Sequence, residues 1–249
     1  MTAAISVRNL CKSFGNKVVL DGVDIEIAAG KSLVIIGGSG TGKSVFIKCI
    51  LGLIEPDSGV ILVDGNNVSK KKTRAEFMRR SGVLFQGSAL FDSISVWENV
   101  AFGLQHILKM PKRQARDRAV ENLAAVGLDA QVADLYPAEI SGGMQRRVAL
   151  ARAVAMQPDV LFFDEPTTGL DPIMSSVINQ LIRESVTKLG ATAVTITHDM
   201  ASARYIGDHI AMLHQGKLVW QGEMGALDTT DNPYIQQFIH GRHQGPILV

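Results

Sequence analysis

Apolar residues along the chain fall into short runs of two kinds. In the first thirty residues they alternate with polar ones. Ile5, Val7 and Leu10 are spaced for one strand, and Val23, Ile25 and Ile27 alternate with Asp24 and Glu26 in another. A period of two turns one face inward and leaves the other in water, so this region predicts antiparallel strands. Ser32–Ile36 is different: a short apolar run ended by glycines, as a strand buried on both faces would be. Val45–Leu53 predicts a helix stopping at Gly52 or soon after. Val60–Val63 predicts a strand stopped by the turn pair Asp64-Gly65, and Val83–Phe85 another strand.

From about Phe91 to Met156 the texture becomes helical. Pro111 suits a first helical position, Ala119, Val120, Leu123, Ala124 and Val126 give an apolar face, and Gly127 suits a C-cap. Lys112, Arg113, Arg116 and Arg118 then form the solvated face. Val160–Phe163 and Ala193–Thr197 return to short buried strands. Ile210–Leu213 and Leu218–Trp220, joined around Gln215-Gly216, read as a hairpin. The whole predicts an α/β core over about residues 1–90 and 157–228, a helical insertion over about 91–156, and a short C-terminal tail, 229–249, with no internal repeat.

Composition narrows the function classes. The 249 residues carry 25 Lys+Arg against 24 Asp+Glu, a net charge of +1. That balance argues against a nucleic-acid surface but permits binding of one nucleotide, which needs only local positive charge. Cys11 and Cys49 have no CxxC spacing, so neither a metal site nor a disulfide framework is expected, and a reducing compartment suits them. The stretch from Met1 to Arg8 lacks the basic start and apolar core of a secretory signal. No apolar run reaches the roughly 18 residues of a membrane span. A soluble or peripheral cytoplasmic protein is expected.

The chemistry enters at Gly37-Gly38-Ser39-Gly40-Thr41-Gly42-Lys43-Ser44, which fits G-x-x-x-x-G-K-[ST] between a buried strand and a helix. Its glycines let backbone N–H groups curl round phosphate oxygens, and the following helix N-terminus adds partial positive charge. Lys43 can reach the β- and γ-phosphates, and the Ser44 hydroxyl can bind Mg²⁺. A second apolar strand ends in Asp164 and Glu165. Neighbours on a strand point to opposite sides, so one acid can hold Mg²⁺ through water while the other orients or deprotonates an attacking water.

Ile140-Ser-Gly-Gly-Met144, followed by Gln145–Arg152, resembles the signature motif and helix of the ATP-binding cassette (ABC) ATPases. Ser141 is also suited to cap that helix. The resemblance covers the chain from Ile5 to about Phe238. It implies a P-loop NTPase (RecA-like) core, an N-terminal antiparallel β-subdomain and an inserted α-helical subdomain. It also implies that Ser141, Gly142 and Gly143 face ATP bound by a second copy, so that two chains sandwich two nucleotides. Other family positions appear in order. Phe14 matches the aromatic that stacks on adenine, Gln86 the glutamine that senses Mg²⁺ and water, and Asp171 the aspartate that crosses the dimer interface. His198 matches the switch histidine, and Glu165 becomes the base. Ile140 and Met144 depart from the family's usual Leu and Gln; hydrolysis is expected to survive both.

After Gln86, the string Gly87-Ser-Ala-Leu-Phe-Asp92 with Val96-Trp97-Glu98-Asn99 is similar to ATPases of bacterial lipid-transport systems that work with MCE proteins. Ser141–Met144 with Arg146-Arg147, and the tail Tyr234–Gly241 followed by Gly245-Pro246, extend the likeness. This group implies a homodimer beneath two copies of a transmembrane permease, on the cytoplasmic face of the bacterial inner membrane. It further implies a periplasmic MCE-domain lipid-binding partner, a small STAS-domain protein and a phospholipid cargo. Phe91 and Trp97 are equally expected to pack the helical insertion. A small-solute importer shares every catalytic motif, and a non-transport ABC ATPase of iron–sulfur assembly has similar length, so both alternatives stay open.

Overall fold

The alternating residues of the N-terminal region build the first sheet. β1 (Ile5–Phe14) pairs antiparallel with β2 (Lys17–Ile27), and Ile5, Val7, Leu10, Leu20, Val23, Ile25 and Ile27 are all buried. The step of three from Val7 to Leu10 breaks strict alternation. A bulge accounts for it: Asn9 takes a φ of +47°, and the register shifts between Val7 and Leu10. The extra residue returns Leu10 to the buried face. Asp24 Oδ1 accepts the Asn9 N–H and holds the bulge.

The structure is a computed structural model that describes residues 4–248. The first three residues of the stretch read for a signal, and Val249, lie outside the described residues. β3 (Ser32–Ile36) leads through the glycine loop into α1 (Lys43–Ile50). β4 (Ser58–Val63) and β5 (Asn66–Asn67) complete the first sheet, in order β2-β1-β4-β5. α2 (Lys71–Arg79) and β6 (Ser81–Leu84) follow, then three helices: α3 (Val96–His106), α4 (Lys112–Ala125) and α5 (Gly142–Val154). The remainder is β7 (Val160–Asp164), α6 (Pro172–Leu189), β8 (Thr192–Ile196), α7 (Met200–Ile206), β9 (His209–His214), β10 (Lys217–Glu223) and α8 (Pro233–Ile239).

The second sheet runs β10-β9-β3-β8-β7-β6, parallel from β9 to β6 and antiparallel at β10. β3, β7 and β8 are buried along their whole length, so their apolar runs do not alternate. Their two faces serve different cores. Val160 and Phe162 pack with β1, β2 and α1, whereas Leu161 and Phe163 pack with α3, α5 and α6. Parallel strands share one carboxyl edge. The loops after β3, β6, β7 and β8, carrying Gly37, Gln86, Glu165 and His198, therefore leave the sheet on the same side.

Several boundaries differ from the sequence reading. α1 starts at Lys43 rather than Val45, because the glycine loop hands its own Lys and Ser to the first helical turn. β6 ends at Leu84, so Phe85 is already in the loop, and β8 is Thr192–Ile196. Pro111 caps α4 with extended backbone instead of opening it. The buried face of α4 runs Ala115, Ala119, Leu123, then Val126, and Ala124 is exposed. Gly127 ends the helix at φ +70°. The basic face is solvated as expected, with Arg116 on Asp134 and Arg118 on Glu121. Trp97 is buried in the helical layer, but Phe91 is half-exposed, its ring against Phe102.

Candidate active site

The glycine loop is shaped by close approach. Gly42 has φ +102°, and a Cβ there would lie 2.6 Å from the Val19 carbonyl oxygen. Gly37 has φ +150°, and its Cβ would lie 2.2 Å from the Leu213 carbonyl oxygen. Neither position accepts a side chain, which is why the loop can pass between β2 and the end of β9. α1 opens with no side-chain cap and no acidic residue in its first turn. Its first N–H groups are left for an anion, which the helix dipole also favours.

Lys43 is buried, and its Nζ donates to the Gly37 and Gly38 carbonyls, both at 2.8 Å. Burial pushes its pKa below the ordinary lysine value, while Glu165 and Asp164 oppose that shift. The ammonium is thus held on the loop by neutral carbonyls, ready to face phosphate oxygens. The Ser44 hydroxyl donates to Asp164 Oδ1 at 3.0 Å. Burial raises the Asp164 pKa, and the Ser44 hydrogen bond works against it. A hydroxyl and a buried carboxylate side by side are hard oxygen donors of the kind Mg²⁺ takes alongside substrate phosphates. Among the described residues, no cluster of three or more His, Cys, Asp or Glu side chains could hold a metal by itself.

Glu165 leaves β7 in the left-handed region, φ +51°, which costs a non-glycine residue about 1–3 kcal/mol. Two hydrogen-bond partners fix its carboxylate: Thr168 Oγ1 donates to Oε2 at 2.8 Å, and His198 Nδ1 lies 2.8 Å from the same oxygen. Among the described residues no hydrogen bond reaches the other oxygen, Oε1, which can take a further partner such as water. Asp199, next to His198, caps α7 through the Ala201 and Ser202 N–H groups and so fixes the end of the histidine loop.

Lys43, Ser44, Glu165 and His198 border one cavity of about 630 Å³, within the size range of small-molecule pockets, whereas Gly37, Gly38 and Asp164 do not border it. Its walls include Phe14, Ser39 to Val45, Gln86, Glu165, Thr168 and His198. Phe14 is half-exposed with Lys12 Nζ 5.4 Å from its ring centre, so the ring is a surface platform rather than core. Lys17, Val19 and Thr168 also line the cavity; the sequence reading assigned them no part. Lys17 and Val19 sit in an ordinary strand, and nothing local marks them as pocket residues.

Ser141, Gly142, Gly143 and Asp171 do not border this cavity. Ser141 Oγ caps α5 by accepting the Met144 N–H at 3.3 Å, and Asp171 caps α6 through Ile173 and Met174. The two helix starts adjoin, since a Cβ on Gly143 would lie 2.9 Å from Met174 Cε. Ser141, Gly142 and Asp171 are exposed.

Residues 20–168 match the family described as ABC transporter. The chain is 40% identical over 249 residues to the probable ribonucleotide transport ATP-binding protein mkl of Mycobacterium leprae, covering 99% of this chain and 72% of that protein. It is 38% identical over 245 residues to the intermembrane phospholipid transport system ATP-binding protein MlaF of Escherichia coli strain K12, covering 98% and 91%. Among solved structures, a dimeric ATP-binding cassette in a post-hydrolysis state with ADP and Pi superposes with a TM-score of 0.80 at 31% identity. That likeness covers 88% of this chain and 98% of the other.

Proposed function

The chain belongs to the ABC transporter ATPases, whose reaction is ATP hydrolysis coupled to transport, and on that premise we propose how its residues perform it and for what cargo. The glycine loop, Lys43 and the start of α1 hold the β- and γ-phosphates, while Phe14 stacks on adenine. Ser44 and Asp164 hold Mg²⁺, with Gln86 completing its surroundings; the ion neutralises phosphate charge when bound. Glu165 orients and polarises the attacking water, and Thr168 and His198 keep its carboxylate in place. Ser141, Gly142, Gly143 and Asp171 of a second copy close the pocket over the γ-phosphate.

One observation carries this reading. Lys43, Ser44 and the Glu165–His198 pair border a single cavity, with Asp164 bonded to Ser44, while the Ser141 end of α5 is exposed and does not border it. Lys43→Ala is expected to abolish tight ATP binding by calorimetry, and unchanged affinity would overturn the assignment.

We infer that the cargo is phospholipid. Likeness to MlaF across 91% of that protein supports this, as does the segment from Gly87 to Asn99. The partners are then two permease subunits, an MCE-domain lipid-binding protein and a STAS-domain protein, with the ATPase peripheral on the inner membrane's cytoplasmic face. No helix among the described residues is long and apolar enough to cross a membrane, which suits a subunit that relies on a permease. The name of the M. leprae relative favours a second reading, a ribonucleotide transporter. Purification from detergent-solubilised membranes separates the readings. Co-purifying permease, MCE protein and phospholipid supports the first. A permease with a soluble-solute receptor and no MCE protein supports the second, and absence of any permease removes both.

A further inference from the structure

Helix α5 carries three arginines outside the nucleotide pocket; Arg147 donates to the Gly127 oxygen at 2.7 Å, and the other two reach the chain around Gln86. Arg146 is buried and Arg152 partly buried, and among the described residues neither has an acidic partner. Both guanidinium groups bond to main-chain carbonyls instead. Arg146 Nη1 donates to the Phe85 oxygen at 3.4 Å, and its Nη2 donates to the Thr168 oxygen at 3.1 Å. Arg152 donates to the Ala89 and Ser88 oxygens at 2.8 and 2.9 Å, with its guanidinium carbon 5.9 Å from the centre of the Phe91 ring.

Gln86 and Gly87 lie between these two grips. The turn they form is unusual: Gly87, Ser88 and Ala89 have φ values of +78°, +68° and +47° in succession. Two adjacent non-glycine residues in that region are unfavourable and persist only where their surroundings over-determine them. Here the surroundings are the two planar guanidinium forks, each spanning two carbonyls. Arg146 also holds the main chain of Thr168, the residue whose hydroxyl bonds Glu165. The helix that presents both arginines is capped by Ser141, five residues before Arg146.

We propose that Arg146 and Arg152 are positioning residues that set Gln86 and, through Thr168, Glu165 relative to the nucleotide pocket. A rigid helix thereby links the exposed Ser141 end, which acts on a second copy's nucleotide, to the hydrolytic groups of its own chain. This rests on the roles of Gln86 and Glu165 proposed above. A displaced reacting group costs rate rather than ground-state binding, by a factor that reaches about 10² for a 1 Å misplacement.

The test is steady-state ATPase kinetics on the purified full-length protein, with ATP affinity and thermal midpoint measured in parallel. Arg146→Gln is expected to lower kcat about 10- to 100-fold with ATP Kd and melting close to wild type, as expected of a misplaced hydrolytic group. Arg146→Lys, which keeps the charge but not the fork, restores kcat only in part. Wild-type kcat in Arg146→Gln, or a loss confined to ATP affinity, overturns the proposal. If Arg146→Gln does not fold, Arg146→Lys decides: reduced kcat at unchanged Kd supports the proposal and wild-type kcat overturns it. Glu165→Gln run alongside keeps the two readings apart. Full turnover in that variant defeats the Glu165 assignment, and with it the Thr168 arm, while kcat of Arg146→Gln still judges the Gln86 arm.

Discussion

The loop before α1 and the start of α5 are both helix N-termini preceded by small residues, yet their surroundings are opposite. At α1 the chain encloses the loop. Val19 and Leu213 carbonyls press on Gly42 and Gly37, Lys43 is 7% exposed, the Asp164 and Glu165 charges act on it, and Glu165 and His198 border its cavity. At α5, Ser141 and Gly142 are exposed, and a Cβ on Gly142 would meet nothing within 4 Å. A phosphate at α1 would be held by many groups of one chain. A phosphate at α5 would be held by one helix end and water, too little for a specific site. The two ends make sense as halves of one pocket supplied by two molecules.

Substitutions that hit one half and spare the other sharpen this contrast. The largest effect is expected for Glu165→Gln, which keeps ATP binding and lowers turnover by about 10²–10⁴ as removal of a positioned base does. Undiminished turnover would remove Glu165 from the chemistry. Next comes Ser141→Arg, which fills the exposed helix end without touching the cavity. ATP binding to the isolated chain should stay within experimental error, while turnover falls by about 10², the loss typical when transition-state hydrogen-bond donors are removed. Equal loss of binding and turnover would place Ser141 in the same half as Lys43.

Backbone substitutions give smaller effects with a clear sign. Gly42→Ala sets a Cβ against the Val19 carbonyl at φ +102° and should cost about 1–3 kcal/mol, seen in both the melting midpoint and ATP affinity. Gly142→Ala meets open space and should shift folding stability by no more than about 0.5 kcal/mol. Similar destabilisation by both would contradict the difference in enclosure. Phe14→Ala should be mildest, losing a stacking contact of about 0.5–1.5 kcal/mol, or roughly two- to tenfold in KM for ATP. An unchanged KM would show that adenine does not use this ring.

The second sheet and the glycine loop were legible because short apolar runs, glycines and acids occur at strand ends, where local pattern suffices. α6 was harder to read. Its buried residues Ile178, Ile182 and Val186 recur every four, but Ile173 and Val177 add exposed apolar positions that widen and blur the stripe. α2 has a single buried anchor, Phe77, in a short basic stretch, too few apolar positions to show a repeating face. Within the site, the glycine-rich motif and the acidic strand end pointed to Lys43, Ser44, Asp164 and Glu165, and only the resemblance to ABC ATPases pointed to Gln86 and His198. Neither could reveal the left-handed turn at Glu165, the Thr168 hydroxyl on its carboxylate, or the grip of Arg146 and Arg152 on the loop around Gln86. Those depend on which main-chain carbonyls the fold brings beside a helix, and no local signal in sequence encodes that.

The central claim is that Gly37–Ser44 is half of a site completed by Ser141 of a second copy. Sedimentation velocity of Glu165→Gln with and without Mg-ATP tests it most directly, compared with the Glu165→Gln/Ser141→Arg double variant. An ATP-dependent shift from monomer to dimer is expected, with one nucleotide per chain, and the second substitution should abolish it. Saturating ATP binding with no dimer, or a dimer indifferent to Ser141→Arg, would contradict it.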